Sequence, residues 1–178
     1  MVVLLAGCGT ADEEPPGTVA IGETCGGFSE PAARALERLA RTGRAVAERA
    51  RELSSFDDRA HLWSSNGQPV CVIRLVGGDK ADSLVRFSFA RVPKAPNLDR
   101  TGGSAEALVG LEGYSIAGEA KLWFRCGDLG VVLGWMTTRG TSDDDPADRN
   151  VVLQDLVHRA TVAWGCADEA KVPGPGNA

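Results

Sequence analysis

The sequence predicts an α+β domain: an antiparallel sheet of four or five strands with N-terminal and C-terminal helices packed on one face. Helical periodicity marks both ends of the chain, two-residue alternation fills its middle, and cysteines sit at the junctions between the two. Ser29 is a good N-cap, with Glu30 and Pro31 just inside the first turn. Phe28, Ala32, Ala35, Leu36 and Leu39 share one helical face, and Glu30–Arg34 and Glu37–Arg41 are favourable i,i+4 pairs opposite it. Thr42-Gly43 is the expected stop. A weaker helical register, Val46, Ala50 and Leu53, extends the reading over 44–53, and its arginine-rich side reads as solvated.

Residues 54–68 read as a polar connection containing His61 and Trp63, after which the period changes to two. Cys71, Ile73 and Leu75 share a face in 70–76, and Val85, Phe87 and Phe89 do so in 84–91. Ala120, Leu122, Phe124 and Cys126 share one in 120–126. In 129–138, Val131, Leu133 and Trp135 alternate with Val132, Gly134 and Met136, and a short strand is expected within 105–117. Such alternation belongs to an antiparallel sheet covered on one side. The last helix is the best signalled. Asp145 caps it, Pro146 opens it, and Asp148 lies in its first turn. Leu153, Leu156, Val157, Ala160 and Trp164 line its buried face, and Gly165 is the expected left-handed stop before Cys166.

Of the five cysteines in 178 residues, none forms a CxxC pair. Structural zinc normally takes closely spaced ligand pairs, so no metal is expected. Setting Cys8 aside leaves Cys25, Cys71, Cys126 and Cys166, which read as two disulfides with three connectivities open. The expected fold favours Cys25–Cys71 and Cys126–Cys166. Cys71 and Cys126 point to the apolar sheet face, Cys25 precedes the first helix, and Cys166 follows the last. Each bridge would contribute up to about 4 kcal/mol by loop closure, less any native strain. The alternative is four buried thiols in a cytosolic protein.

Leu5-Ala6-Gly7-Cys8 resembles a bacterial lipobox, in which the cysteine is acylated and becomes the new N-terminus. The plainer alternative is a buried strand with Cys8 as a core thiol. A signal peptide carries a basic n-region and a longer apolar stretch. Here no Lys or Arg precedes Arg34, so translation is expected to begin further upstream. Residues 9–24 are rich in Gly, Pro, Thr and acid, a composition that suits a tether. The expected layout is therefore a signal remnant at 1–7, a lipid-anchored flexible acidic tether at 8–24, one α+β domain at 25–172 and a disordered tail at 173–178. This places the protein on the outer face of the cytoplasmic membrane, held through Cys8.

The 43% hydrophobic content supports one packed core. The formal charge of −5 is concentrated at the start: Asp12, Glu13, Glu14 and Glu23 precede residue 25 and no basic residue does, leaving the rest at −1. Near-neutrality argues against nucleic acid as a partner. The preponderance of Arg over Lys, with abundant Ala and Gly, is similar to high-GC actinobacterial coding. Cys25-Gly26-Gly27 opening the first helix, Phe124-Arg125-Cys126 ending a strand and Gly165-Cys166 closing the last helix resemble small actinobacterial (streptomycete-type) lipoproteins of unknown function. The resemblance covers most of 25–173. Its motifs are structural, so it implies an address and a disulfide framework and no catalytic residue.

No GxSxG, HExxH or P-loop pattern occurs, and no cofactor is expected. His158 lies beside the apolar face of the last helix, where a packed or surface histidine is the ordinary reading. Asp143, Asp144, Asp145 and Asp148 lack the spacing and distal Glu of an EF-hand loop, and helix capping accounts for them with fewer assumptions. Arg74, Arg86, Lys121, Trp123 and Arg125 face away from the helices and, if their strands are neighbours, form a basic, aromatic patch. Such a patch suits an envelope glycan, a lipid headgroup or a protein partner; the bland alternative is an ordinary solvated sheet face. The expected function is thus a non-catalytic, surface-tethered binding or envelope-associated module. The alternatives are an exported envelope hydrolase with an unrecognised site, or a cytosolic protein with a chance lipobox.

Overall fold

The computed structural model describes residues 17–41, 43–50, 68–76, 84–94, 106–107, 112–116, 118–139 and 145–174. Among them, strand β1 (Val19–Ala20) leads through a 3-10 segment (Ile21–Gly26) to helix α1 (Glu30–Ala40). Strands β2 (Arg44–Ala50), β3 (Gln68–Leu75), β4 (Leu84–Val92), β5 (Glu106–Ala107), β6 (Glu112–Ile116), β7 (Glu119–Arg125) and β8 (Val131–Arg139) follow. Helices α2 (Pro146–Ala163) and α3 (Ala167–Ala170) close the described chain. All strand pairings are antiparallel, in the order β1-β2-β3-β4-β8-β7-β6-β5. The α+β class is as the sequence predicts. Six strands of five residues or more, with a two-residue strand at each edge, replace the expected four or five.

The extra strands have identifiable origins. Residues 44–50, expected as helix, form β2, hydrogen-bonded to β1 on one side and β3 on the other. Pairing on both edges satisfies the backbone and overrides a weak helical period. The 105–117 stretch supplies β5 and β6. The fold also begins before residue 25. Val19 and Ala20 pair with Ala45 and Arg44, Ile21 is fully buried, and its N–H donates to Gly43 O at 2.9 Å. One large apolar side chain anchors a segment whose average composition reads as tether. Helix α1 stops one residue short of Thr42, with Arg41 itself left-handed at φ 53°.

The core lies between the sheet and the two long helices. Cys71, Ile73, Phe87, Phe89, Leu122, Phe124 and Met136 on the sheet meet Ala35, Leu36 and Leu39 of α1 and Leu153, Leu156, Val157 and Ala160 of α2. Phe89 packs edge-on against Trp164, centroids 5.1 Å apart, and edge-on against Phe124 at 6.3 Å. Gly134 makes room for this contact: a Cβ there would sit 2.9 Å from both Phe89 and Val157.

Both disulfides have the expected partners. Cys25–Cys71 ties the segment before α1 to β3, with Cα atoms 5.6 Å apart. Cys126–Cys166 ties the end of β7 to the turn between α2 and α3, with Cα atoms 5.0 Å apart. Gly165, at φ 72°, provides the left-handed turn that brings Cys166 back to the sheet. At the end of the expected domain Val172 is buried and its carbonyl lies 3.0 Å from His158 Nδ1, and of the expected tail only Pro173 and Gly174, both half-buried, are among the described residues.

Two outcomes are expected in denaturant unfolding. Replacing Cys126 and Cys166 together with Ala removes about 3–4 kcal/mol, since the bridge closes a separation of 40 residues. Gly134→Ala costs about 1–3 kcal/mol by overpacking against Phe89 and Val157.

Candidate functional site

The sheet face turned away from the helices carries the five residues singled out by sequence, and its register places them. On β3, Val72 and Arg74 face this way; on β4, Arg86, Ser88 and Ala90; on β8, Val131, Leu133, Trp135, Thr137 and Arg139; on β7, Glu119, Lys121, Trp123 and Arg125. Arg74 and Arg86 stand on adjacent strands, because Val72 pairs with Arg86 and Arg74 with Leu84. Lys121, Trp123 and Arg125 do not join them directly: β8 runs between β4 and β7. Arg86 is level with Thr137, whereas Arg125 is level with Val131 at the far end of the strand. That offset is about 20 Å. Arg74 and Arg86 therefore share one end of the face, Arg125 lies at the other, and Lys121 and Trp123 stand between them on the far side of β8.

Their environments differ as well. Arg74, Arg86 and Arg125 are exposed. Lys121 is half-buried and ion-paired to Glu119 two residues earlier on its own strand. Trp123 is only 8% exposed, level with Leu133, so it packs into the face instead of standing on it. Ser88 and Ala90, in the middle of the same face, are buried too. The centre of this surface is thus largely packed, its one cation Lys121 is ion-paired, and the exposed arginines lie toward the two ends.

Arg139 completes the Arg74–Arg86 end. It pairs with Leu84, which pairs in turn with Arg74, so three exposed arginines occupy three neighbouring strands within two residues of one another. Strand alternation through residue 138 stops one position short of Arg139, and the adjacency of β4 and β8 is a long-range pairing that no local pattern encodes.

Other polar side chains serve the helices. Arg38 of α1 grips Asp148 of α2, with Nε donating to Oδ2 at 2.9 Å and Nη2 to Oδ1 at 2.5 Å. The hydrogen bond to Asp148 is the main reason the Arg38 pKa is raised. Asp145 caps α2, accepting from Ala147 N at 2.9 Å. Capping and pairing thus occupy these two aspartates, while Asp143 and Asp144 lie outside the described residues. Arg149, almost wholly buried, donates from Nε to Ser115 Oγ of β6 at 3.1 Å. Arg159 pairs with buried Asp155 at 3.2 Å, donates to the Cys25 carbonyl at 3.2 Å, and lies 5.0 Å over the Phe28 ring. Burial pulls its pKa down, and Asp155 partly restores it. His158 is engaged with Val172, and His61, Trp63 and Cys8 lie outside the described residues. Among the described residues no group of three or more His, Cys, Asp or Glu side chains is placed to hold a metal ion.

No family model, curated protein or solved structure matches the chain.

The Asp155–Arg159 pair makes a prediction. Arg159→Ala strands a buried carboxylate and is expected to cost about 2–3 kcal/mol, below the roughly 3–5 kcal/mol of a fully buried pair because a quarter of the arginine remains in solvent. Arg159→Ala with Asp155→Asn recovers part of that loss. Thermal unfolding of the single and double variants measures both.

Proposed function

We propose that the protein is a lipid-anchored, non-catalytic binding module of the cell envelope, carried on the outer face of the cytoplasmic membrane through Cys8. One observation carries the reading. Two disulfides consume four of the five cysteines, and the one left over is Cys8, at the acylation position of Leu5-Ala6-Gly7-Cys8. Disulfides that join buried sulfurs across 46 and 40 residues belong to oxidising compartments. An odd cysteine in an exported chain needs its own explanation, and acylation supplies one.

A binding role is favoured over catalysis by where the chemistry sits. Arg149, Asp155 and Arg159 are spent on joining α2 to β6 and to the segment before α1. The open sheet face, by contrast, presents Arg74, Arg86, Arg125 and Arg139 at its surface. That surface suits an anionic partner recognised by charge and by guanidinium forks.

The test is the intact mass of the protein recovered from its native host without reduction. The expected species begins at acylated Cys8 and is four hydrogens lighter than the reduced chain, for two disulfides. A species that keeps Met1 and takes up four equivalents of thiol reagent on the domain cysteines would sink the reading.

A further inference from the structure

Strand β5 runs parallel to β4. Glu106 is level with Phe87 through Ser115, Ala120 and Met136, and Ala107 is level with Ser88 through Tyr114, Lys121 and Trp135. Strands β8, β7 and β6 stand between the two. The chain leaves β4 at Val92, returns to the level of Phe87 and passes those three strands before Glu106. The gap is about 25 Å, four strand spacings across and five residues along. The connection 93–105 reaches about 45 Å when extended, so it is long enough to cross a face of the sheet.

Two hydrogen bonds fix the hand of the path. Cys126, whose side chain faces the helices, donates its N–H to Gly130 O on the β8 side at 2.9 Å, and Thr138 donates to Gly118 O on the β7 side at 2.9 Å. For L-residues this places β8 and β4 to the right of β7 when the sheet is viewed from the helices with β7 running upward. Strand β5 therefore lies to the left of β4, and both run upward. A leftward crossover is left-handed on the helix side and right-handed on the opposite side. Crossovers between parallel strands of one sheet are right-handed almost without exception, because a twisted strand packs back onto its sheet only that way. The helix side is also occupied. Arg149 of α2 donates to Ser115 of β6 at 3.1 Å, and a Cβ on Gly134 of β8 would lie 2.9 Å from Val157, so no chain fits between α2 and these strands.

Burial on the opposite face points the same way. Side chains there stand perpendicular to the sheet, so their outer surfaces meet water unless a further layer lies on them. The described helices pack on the other side, yet Trp123 is 8% exposed and Ser88 and Ala90 are buried. The midpoint of the path from Val92 to Glu106 falls on β7 at the level of Ala90, where Trp123 stands opposite Leu133. Leu98, next to the middle of 93–105, is the one large aliphatic side chain in that stretch. Pro93 and Pro96 restrict its backbone before folding and reduce the entropy lost on seating it.

We propose that the connection 93–105 is a right-handed crossover lying across the sheet face opposite the helices, with Leu98 seated on Trp123 and Leu133. The occupant is a segment of this same chain, selected by where its two ends enter the sheet. The other long connection, 51–67, joins β2 to β3, which are antiparallel neighbours, and has no strand to cross. An external partner then meets the arginines at the two ends of the face and not its tryptophan centre. The inference depends neither on the lipid anchor nor on the binding reading.

The experiment uses the full chain with both disulfides formed and a photoreactive benzophenone amino acid in place of Leu98. After irradiation, peptide mapping of the monomer is expected to find adducts on the β7 and β8 peptides that carry Trp123 and Leu133. Adducts on α1 or α2, or none within the chain, would overturn the proposal. So would an adduct on the Trp123 peptide from the same probe in place of Trp63 with none from position 98, which would assign the cover to 51–67. Thermal unfolding gives a second readout free of the bulky probe. Leu98→Ala is expected to lower the midpoint by about 4 °C. With Trp123→Ala already present, the same change is expected to lower it by less than half as much, because the two side chains share one contact. An undiminished shift in that background would also overturn the proposal.

Discussion

The pairing of β4 with β8 is the constraint on which the rest of the structure depends. The sheet consists of two four-stranded meanders, β1 to β4 and β5 to β8, that meet along this one ladder. Every residue of both strands is in register there, from Leu84 opposite Arg139 to Val92 opposite Val131. Neither disulfide crosses it. Cys25–Cys71 lies within the first meander and its helix, and Cys126–Cys166 within the second. The covalent staples thus stiffen each half and leave their union to non-covalent forces.

Those forces are concentrated above the ladder. Phe89 of β4 reaches across to Phe124 and Trp164 of the second half, and Gly134 of β8 lets that ring and Val157 close up over the strand. The helices add two polar clasps, Arg38 to Asp148 at one end of the antiparallel α1–α2 pair and Arg159 to the Cys25 carbonyl at the other. The clasps differ in kind. Arg38 is largely in solvent and contributes mainly geometry, while Arg159 and Asp155 are withdrawn from water, so each charge needs the other. Specific alignment of the two halves is therefore set at both helix ends, and the apolar contact between them supplies the bulk of the attraction.

Much of this was legible locally. The alternation of Cys71, Ile73 and Leu75 and of Ala120, Leu122, Phe124 and Cys126 identified strands, their inward faces and, with the capped α2 and its Gly165 stop, the disulfide partners. What escaped was non-local or diluted. Residues 44–50 lacked a clean period because Ala45 and Ala47 are small, and only pairing with β1 and β3 makes them a strand. Ile21 was a single apolar residue in a stretch that averages as linker. From sequence, Arg74, Arg86, Lys121, Trp123 and Arg125 form one patch only if their strands are neighbours, and strand order cannot be read from alternation. With β8 inserted, Arg139 joins the first two, Arg125 moves to the other end, and Trp123, in register with Leu133 on one side and residue 112 on the other, is buried.

The confinement of each disulfide to its own meander has a consequence for biogenesis. The cysteines of the domain pair in the order in which they occur, first with second and third with fourth. A chain that emerges N-terminus first exposes Cys25 and Cys71 as a complete pair before Cys126 is available to compete. In an exported chain whose Cys8 carries the proposed acyl group, oxidation in order of appearance yields the native connectivity directly, with no mispaired bridge to reshuffle. Such a chain can mature with an oxidase alone, independent of a disulfide isomerase.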